Sequence, residues 1–139
     1  MRDRLVKTGR VRWVYRDFPL TQHQWARLAA HAAACAQDQN RYWEMQEQLF
    51  ASHSDWDMSR DAGKVFREDA QKVGLDPGAY DECMKSLKYA GRIQASATEG
   101  VRVGVGSTPT FVIGGRLYPG LLPYDRIRKL VDSLSAANP

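Results

Sequence analysis

Two cysteines, three histidines and one threonine-proline run are the residues of this 139-residue chain whose chemistry comes first. Cys35 and Cys83 stand 48 positions apart. Two thiols are too few for an all-cysteine zinc site or a disulfide scaffold, and an even count permits one bridge. Each falls in a helical stretch with apolar neighbours, surroundings that raise a thiol pKa and work against a reactive thiolate. The residues by themselves leave open a displaced redox pair and two buried free thiols. His23, His31 and His53 show no metal-ligand spacing. His23 reads as a packed or capping histidine rather than a catalytic one, and Asp17 beside Arg16 as half of a strand-end ion pair. The run from Gly100 to Gly106 has neither the preceding strand nor the lysine that phosphate binding requires.

Ser107-Thr108-Pro109-Thr110-Phe111 is the most informative stretch. A proline removes a ladder donor, so it belongs at a strand start or a bulge. Taken alone, Thr108-Pro109 would be an ordinary trans turn, since cis occurs at about one X–Pro bond in twenty.

The elements that position these residues follow from periodicity. Residues 10 to 15 alternate, with Val11, Trp13 and Tyr15 on one side, and predict a strand ended by Pro19. Asp3 to Thr8 reads as a short helical turn stopped at Gly9. From Thr21, a candidate cap, to about Gly104 the chain reads as helices. Trp25, Leu28, Ala29, Ala32 and Ala36 stripe the first, and Tyr42, Met45 and Leu49 the second. Ser59 or Asp61 caps a third, and Asp76-Pro77 opens a fourth. A fifth covers roughly Tyr89 to Glu99. Trp13, Trp25, Trp43 and Trp56 fit these periods and read as core. Thr110 to Ile113 reads as a short strand, Gly114-Gly115 as a hairpin turn needing positive φ, and Arg116 to Tyr118 as its return. Pro123 opens a last helix with Ile127, Leu130, Val131 and Leu134 on one face. This is an α/β plan with a helical insertion.

Composition sets the outer limits. Hydrophobic residues at 43% and charged residues at 26% suit one soluble globular domain and exclude a disordered, collagenous or coiled-coil chain. No run approaches the ~20 apolar residues of a membrane helix. A net charge of +4 demands neither nucleic acid nor an anionic membrane, and neither partner is expected. The N-terminus has no apolar run of signal-peptide length.

The segment GVGSTPTFVIGGRLYPGLLPYDRIRKLV resembles the C-terminal part of the DsbA-like branch of the thioredoxin superfamily. There a Gly-(Thr or Ser)-Pro-Thr-Phe run precedes a hairpin, and Pro-Tyr opens the last helix. The stretch from Val14 to Phe50 is similar to that family's second strand and first inserted helices: Arg-Asp-Phe-Pro-Leu, a following histidine, an alanine-rich helix and an aromatic-Trp-Glu-Met pattern. The resemblance implies a thioredoxin-like fold over one domain, with 1–20 and 100–139 as the thioredoxin-like part and 21–99 as the helical insertion. It implies a cis Pro109, with Ser107, Thr108 and Pro109 binding an extended peptide or protein thiol substrate by strand addition. It also implies that Cys35 and Cys83 form a structural disulfide between inserted helices, as some members carry, worth about 4 kcal/mol by loop closure. No cofactor is implied, and the resemblance points to an extracytoplasmic parent.

The chain departs from that family in one respect. Members begin with a strand leading to Cys-x-x-Cys at a helix N-terminus, where the first thiolate attacks disulfides. This sequence contains no Cys-x-x-Cys, and residues 1 to 8 read as the last turns of that helix. The expectation is a fold without the usual first strand and a chain without the redox mechanism. A frame opening upstream of Met1, encoding that strand with Cys-x-x-Cys or Cys-x-x-selenocysteine, follows as a further expectation. A missing central strand would leave a slot of about 9.6 Å between its neighbours; the two could close up and pair, or the slot could stay open and aggregation-prone, but an intertwined homodimer is the favoured repair. Two rival readings stand beside this one. The first is a non-catalytic peptide-binding module using the cis-proline groove. The second is a relative of the kappa-class glutathione transferases and chromene-carboxylate isomerases, which usually carry Val-Pro where this chain has Thr-Pro.

Overall fold

The computed structural model describes residues 2–137; Met1, on which the expectation of an upstream start falls, lies outside them. The chain divides into two compact units, Asp17–Ala97 and Met1–Arg16 with Thr98–Pro139.

The unit Asp17–Ala97 is helical. It holds α1 (Ala26–Gln37), α2 (Tyr42–Ala51), α3 (His53–Trp56), α4 (Ala62–Lys72), α5 (Pro77–Ser86) and the first turns of α6 (Ala90–Arg102). Short-range chemistry sets the boundaries. Asp76 Oδ1 accepts the Ala79 N–H at 2.8 Å, and Pro77 occupies the first turn, where no N–H is needed. Asp61 caps α4 by accepting from the Lys64 N–H. Leu87 ends α5 in the left-handed region at φ 52. Thr21 caps nothing. The chain instead makes turn-type bonds from His23 N–H to Leu20 O and from Ala26 N–H to His23 O, so α1 starts only after a double turn.

The small residues of α1, of which Ala32 and Ala36 belong to the predicted stripe and Ala33 and Cys35 do not, let its neighbours approach closely. Ala32, Ala33, Cys35 and Ala36 are buried against Met45, Leu49, Phe66, Ala70, Tyr80 and Cys83. Trp56 meets the Phe66 ring edge-on at 5.3 Å, and truncating a buried phenylalanine of this kind typically costs about 3–5 kcal/mol. Asp69 is fully buried. Its carboxylate accepts from Ser52 Oγ at 2.5 Å, Gln48 Nε2 at 2.9 Å and Lys72 Nζ at 3.0 Å, so the charge is both paired and hydrogen-bonded.

The other unit contains a π-helical turn (Arg2–Val6), the end of α6, the strands β1 (Thr110–Ile113) and β2 (Arg116–Pro119), and α7 (Tyr124–Ala137). β1 and β2 pair antiparallel, with Phe111 opposite Tyr118 and Ile113 opposite Arg116. Gly114 (φ 56) and Gly115 (φ 75) make the turn. Leu5, Ile127 and Val131 are buried with Val11, Phe111, Ile113, Leu122 and Tyr124 around them.

Residues 10 to 15 do not form the predicted strand. Their alternation survives only in part: Val11 and Trp13 are half-buried, Trp13 lying edge-on to Phe111 at 6.1 Å, and Arg10, Arg12 and Val14 are exposed, but Tyr15, predicted on the side of Val11 and Trp13, is exposed as well. Among the described residues, however, the only ladder is β1 with β2. Extended backbone becomes a strand only when a neighbour exchanges hydrogen bonds with it. Here the segment is tied instead at its start, where the Arg10 and Val11 N–H groups both donate to Leu5 O.

Candidate functional site

The Ser107–Pro109 loop stands exposed at the head of β1, and its Thr108–Pro109 bond is cis. Two hydrogen bonds hold its shape. Thr110 Oγ1 donates to Ser107 O at 2.7 Å, and the Gly120 N–H donates to Pro109 O at 2.8 Å, tying the loop to the end of β2. Upstream, Gly104 ends α6 at φ 93, a backbone geometry open to glycine. β1 has β2 on one side. Its other edge carries no backbone ladder among the described residues, and Val112 on that strand is 59% exposed. The loop and this edge offer an extended chain unpaired backbone groups beside small hydroxyl side chains.

The second cluster lies in the helical unit. Cys35 on α1 and Cys83 on α5 are joined in a disulfide, and no free cysteine remains. Both are buried, as is His31, one turn before Cys35 on the same helix. The imidazole nitrogen and the two sulfurs lie within 4.8 Å of one another, the only such group of histidine, cysteine or carboxylate donors among the described residues. His31 Nε2 accepts the Tyr89 N–H at 3.4 Å, and the ring meets Tyr89 edge-on at 6.2 Å. Burial pulls the His31 pKa down, a hydrogen bond with the Cys83 backbone opposes this, and Arg92 adds to the lowering.

Outside this cluster, Asp38 accepts from Lys88 Nζ at 2.7 Å and from the Tyr89 hydroxyl. Lys88 first and Tyr89 second hold its carboxyl below the ordinary value. The Arg92 guanidinium lies 4.4 Å from the Tyr89 ring centre and donates to Gln37 Oε1 at 2.8 Å. Asp17 is not set by the predicted ion pair with Arg16. Burial raises its pKa, and Arg92 opposes that rise.

The predicted site residues thus fall in two places: Ser107, Thr108 and Pro109 in the loop, Cys35 and Cys83 in the bridge. Sequence reading missed His31 as a neighbour of the bridge. The available signal was the four-residue step from His31 to Cys35, which puts both side chains on one face of a helix.

The hairpin, its proline loop and the helical unit have counterparts among known proteins. A solved structure of a thioredoxin-like oxidoreductase from Silicibacter pomeroyi is similar, with a TM-score of 0.73 and 27% identity, over 88% of this chain and 68% of that one. The fold is thioredoxin-like, mostly helical with a small two-strand sheet. The family model described as Thioredoxin matches residues 1–133, and the chain belongs to that family. Curated relatives include a Na(+)/H(+) antiporter NhaA 3 from Salinispora tropica, 35% identical over 99% of this chain, and a Na(+)/H(+) antiporter NhaA 1 from Salinispora arenicola, 30% identical over 98%. The chain spans only 19% and 20% of the length of those two proteins. No helix among the described residues is long and apolar enough to cross a membrane.

Proposed function

We propose that this chain is a DsbA-like module of the thiol–disulfide oxidoreductase type that binds extended peptide and does not itself turn over dithiols. The observation that carries the reading is the exposed Ser107–Pro109 loop leading into a β1 edge without a ladder partner among the described residues. Strand addition at such an edge supplies main-chain hydrogen bonds, and the loop hydroxyls of Ser107 and Thr108 line its start. The chemistry is limited by the cysteines. Both are consumed in Cys35–Cys83 and buried between helices, so no accessible thiolate is available to attack a substrate disulfide. The sodium–proton exchange in the names of two relatives belongs to those proteins and plays no part in this reading.

The test is a titration of isotope-labelled protein with an extended, cysteine-containing peptide, followed by amide shifts. Shifts confined to Ser107, Thr108 and Thr110 to Val112 are expected, alongside no turnover of insulin disulfides. Shifts confined to the helical unit, or insulin reduction above the uncatalysed rate, would refute the reading. A second copy of the chain competes for the same edge in an intertwined homodimer. Sedimentation then shows a concentration-dependent dimer that Val112→Lys disperses, whereas a compact monomer at every concentration removes the dimer from the reading.

A further inference from the structure

The disulfide between α1 and α5 has a buried imidazole against it, and that imidazole has no part in the bridge. His31 is 3% exposed, Cys35 1% and Cys83 6%, and their three donor atoms lie within 4.8 Å of one another. Imidazole with two thiolates is the donor set of zinc sites that keep a fourth position open. In the oxidised chain the sulfurs bond each other and cannot act as ligands. We propose that reducing Cys35–Cys83 converts this staple into a zinc site with His31, Cys35 and Cys83 as its protein ligands.

The chemistry balances with a dithiol as reductant. Its thiolate attacks the sulfur of Cys83, the more exposed residue of the pair, and its second thiol resolves the mixed disulfide. The S–S bond breaks, two thiols form, and the reductant leaves as its own disulfide. Zinc(II) then replaces both thiol protons, which pass to solvent, and a water completes the tetrahedron. Zinc–sulfur bonds of about 2.3 Å at a tetrahedral angle place the sulfurs roughly 3.8 Å apart. The Cα atoms of the two cysteines stand 5.8 Å apart, and rotation about their Cα–Cβ bonds moves the freed sulfurs toward that separation. The nitrogen-to-sulfur spacing needed is similar, within the 4.8 Å span already present.

Burial selects the ion by charge. Two thiolates with a divalent cation make a neutral centre, whereas a monovalent soft ion such as copper(I) would leave a net negative charge among Ala32, Ala36 and Tyr80. The imidazole is held ready for this role. Its Nε2 already accepts a hydrogen bond, from the Tyr89 N–H, so that nitrogen carries a lone pair a metal can take in its place. The cost is one weak bond, from the Tyr89 N–H at 3.4 Å.

The experiment uses the full chain under anaerobic conditions, treated with a phosphine to reduce the bridge and titrated with cobalt(II) as a spectroscopic stand-in for zinc. Expected are thiolate-to-cobalt charge-transfer absorption and the visible bands of tetrahedral cobalt, saturating at one ion per chain and erased by zinc. The oxidised chain gives neither. His31→Gln weakens cobalt binding by about 10–100-fold or more, since even the outer partners of ligands cost that much. Circular dichroism accompanies each titration. The proposal is overturned if the reduced chain keeps its helical signal and takes up no cobalt. It is equally overturned if cobalt binds only to a chain that has lost that signal, or if His31→Gln binds as tightly as the parent.

Discussion

Replacing both bridge cysteines, as Cys35→Ala with Cys83→Ala, tests how far the disulfide between α1 and α5 stabilises the helical unit. The bridge closes a loop with a sequence separation of 48. Chain-entropy arithmetic for a loop of that size gives about 4 kcal/mol at 25 °C, acting by restricting the unfolded chain. Alanine is preferred to serine because both positions are buried in an apolar cluster, where an unpaired hydroxyl would add its own cost. If the whole chain melts as one, an unfolding entropy of roughly 2.1 cal/mol/K per residue converts this loss to a Tm decrease of about 14 °C. If Asp17–Ala97 melts as a separate cooperative unit, the same loss is spread over fewer residues and becomes about 24 °C. Calorimetry distinguishes the two by the number of transitions and by which one moves. Urea titration should show a lower midpoint together with a steeper slope, because the unfolded variant is free of its cross-link and exposes more surface. A loss below about 1 kcal/mol with an unchanged slope would refute the reasoning, since the bridge would then not be constraining the unfolded chain.

Three further outcomes follow from individual side chains. His31 is held below its ordinary pKa of 6.5, first by burial, so the unfolded chain binds the extra proton more readily. Its contribution is complete above 6.5 and is lost as pH falls toward the folded value; urea midpoints on either side of 6.5 should show this slope, and His31→Gln should flatten it. The Tyr80 hydroxyl is buried without a hydrogen-bond partner among the described residues, and burial, then Asp81 and Asp69, pushes its pKa up. Tyr80→Phe should therefore raise stability by about 1 kcal/mol in a denaturant titration, whereas a loss of that size would reveal a partner for the hydroxyl. Gly114 turns the hairpin at φ 56, and a Cβ there would lie 2.9 Å from the Leu134 side chain. Gly114→Ala should cost about 1–2 kcal/mol from the left-handed backbone, with Leu134 free to swing aside, and thermal melting of the variant measures it.

What was legible in the residues was what a few neighbours decide. Asp76-Pro77 marks a helix start because a carboxylate and a missing N–H act within one turn. Gly114-Gly115 marks the hairpin because two consecutive positive φ values suit glycine. The spacing of Ile127 and Val131 names the buried face of α7 in the same way. Residues 10 to 15 carry a strand's alternation, and that pattern predicted the inward turn of Val11 and Trp13 but not the exposure of Tyr15. Whether they form a strand depends on a ladder partner, which no local pattern contains, and among the described residues there is none. The chemistry divides along the same line. The Ser107–Pro109 loop was visible as a contiguous motif. The triad of His31, Cys35 and Cys83 was not, because only its first two members share a helix. The packing of α5 against the alanine face of α1 brings Cys83 across the chain to them. Sequence determined which residues carry a proton, a thiol or a turn, and family resemblance led to the expectation that Cys35 pairs with Cys83; tertiary structure decided that His31 meets both, since how whole helices bury their faces settles which side chains share a site.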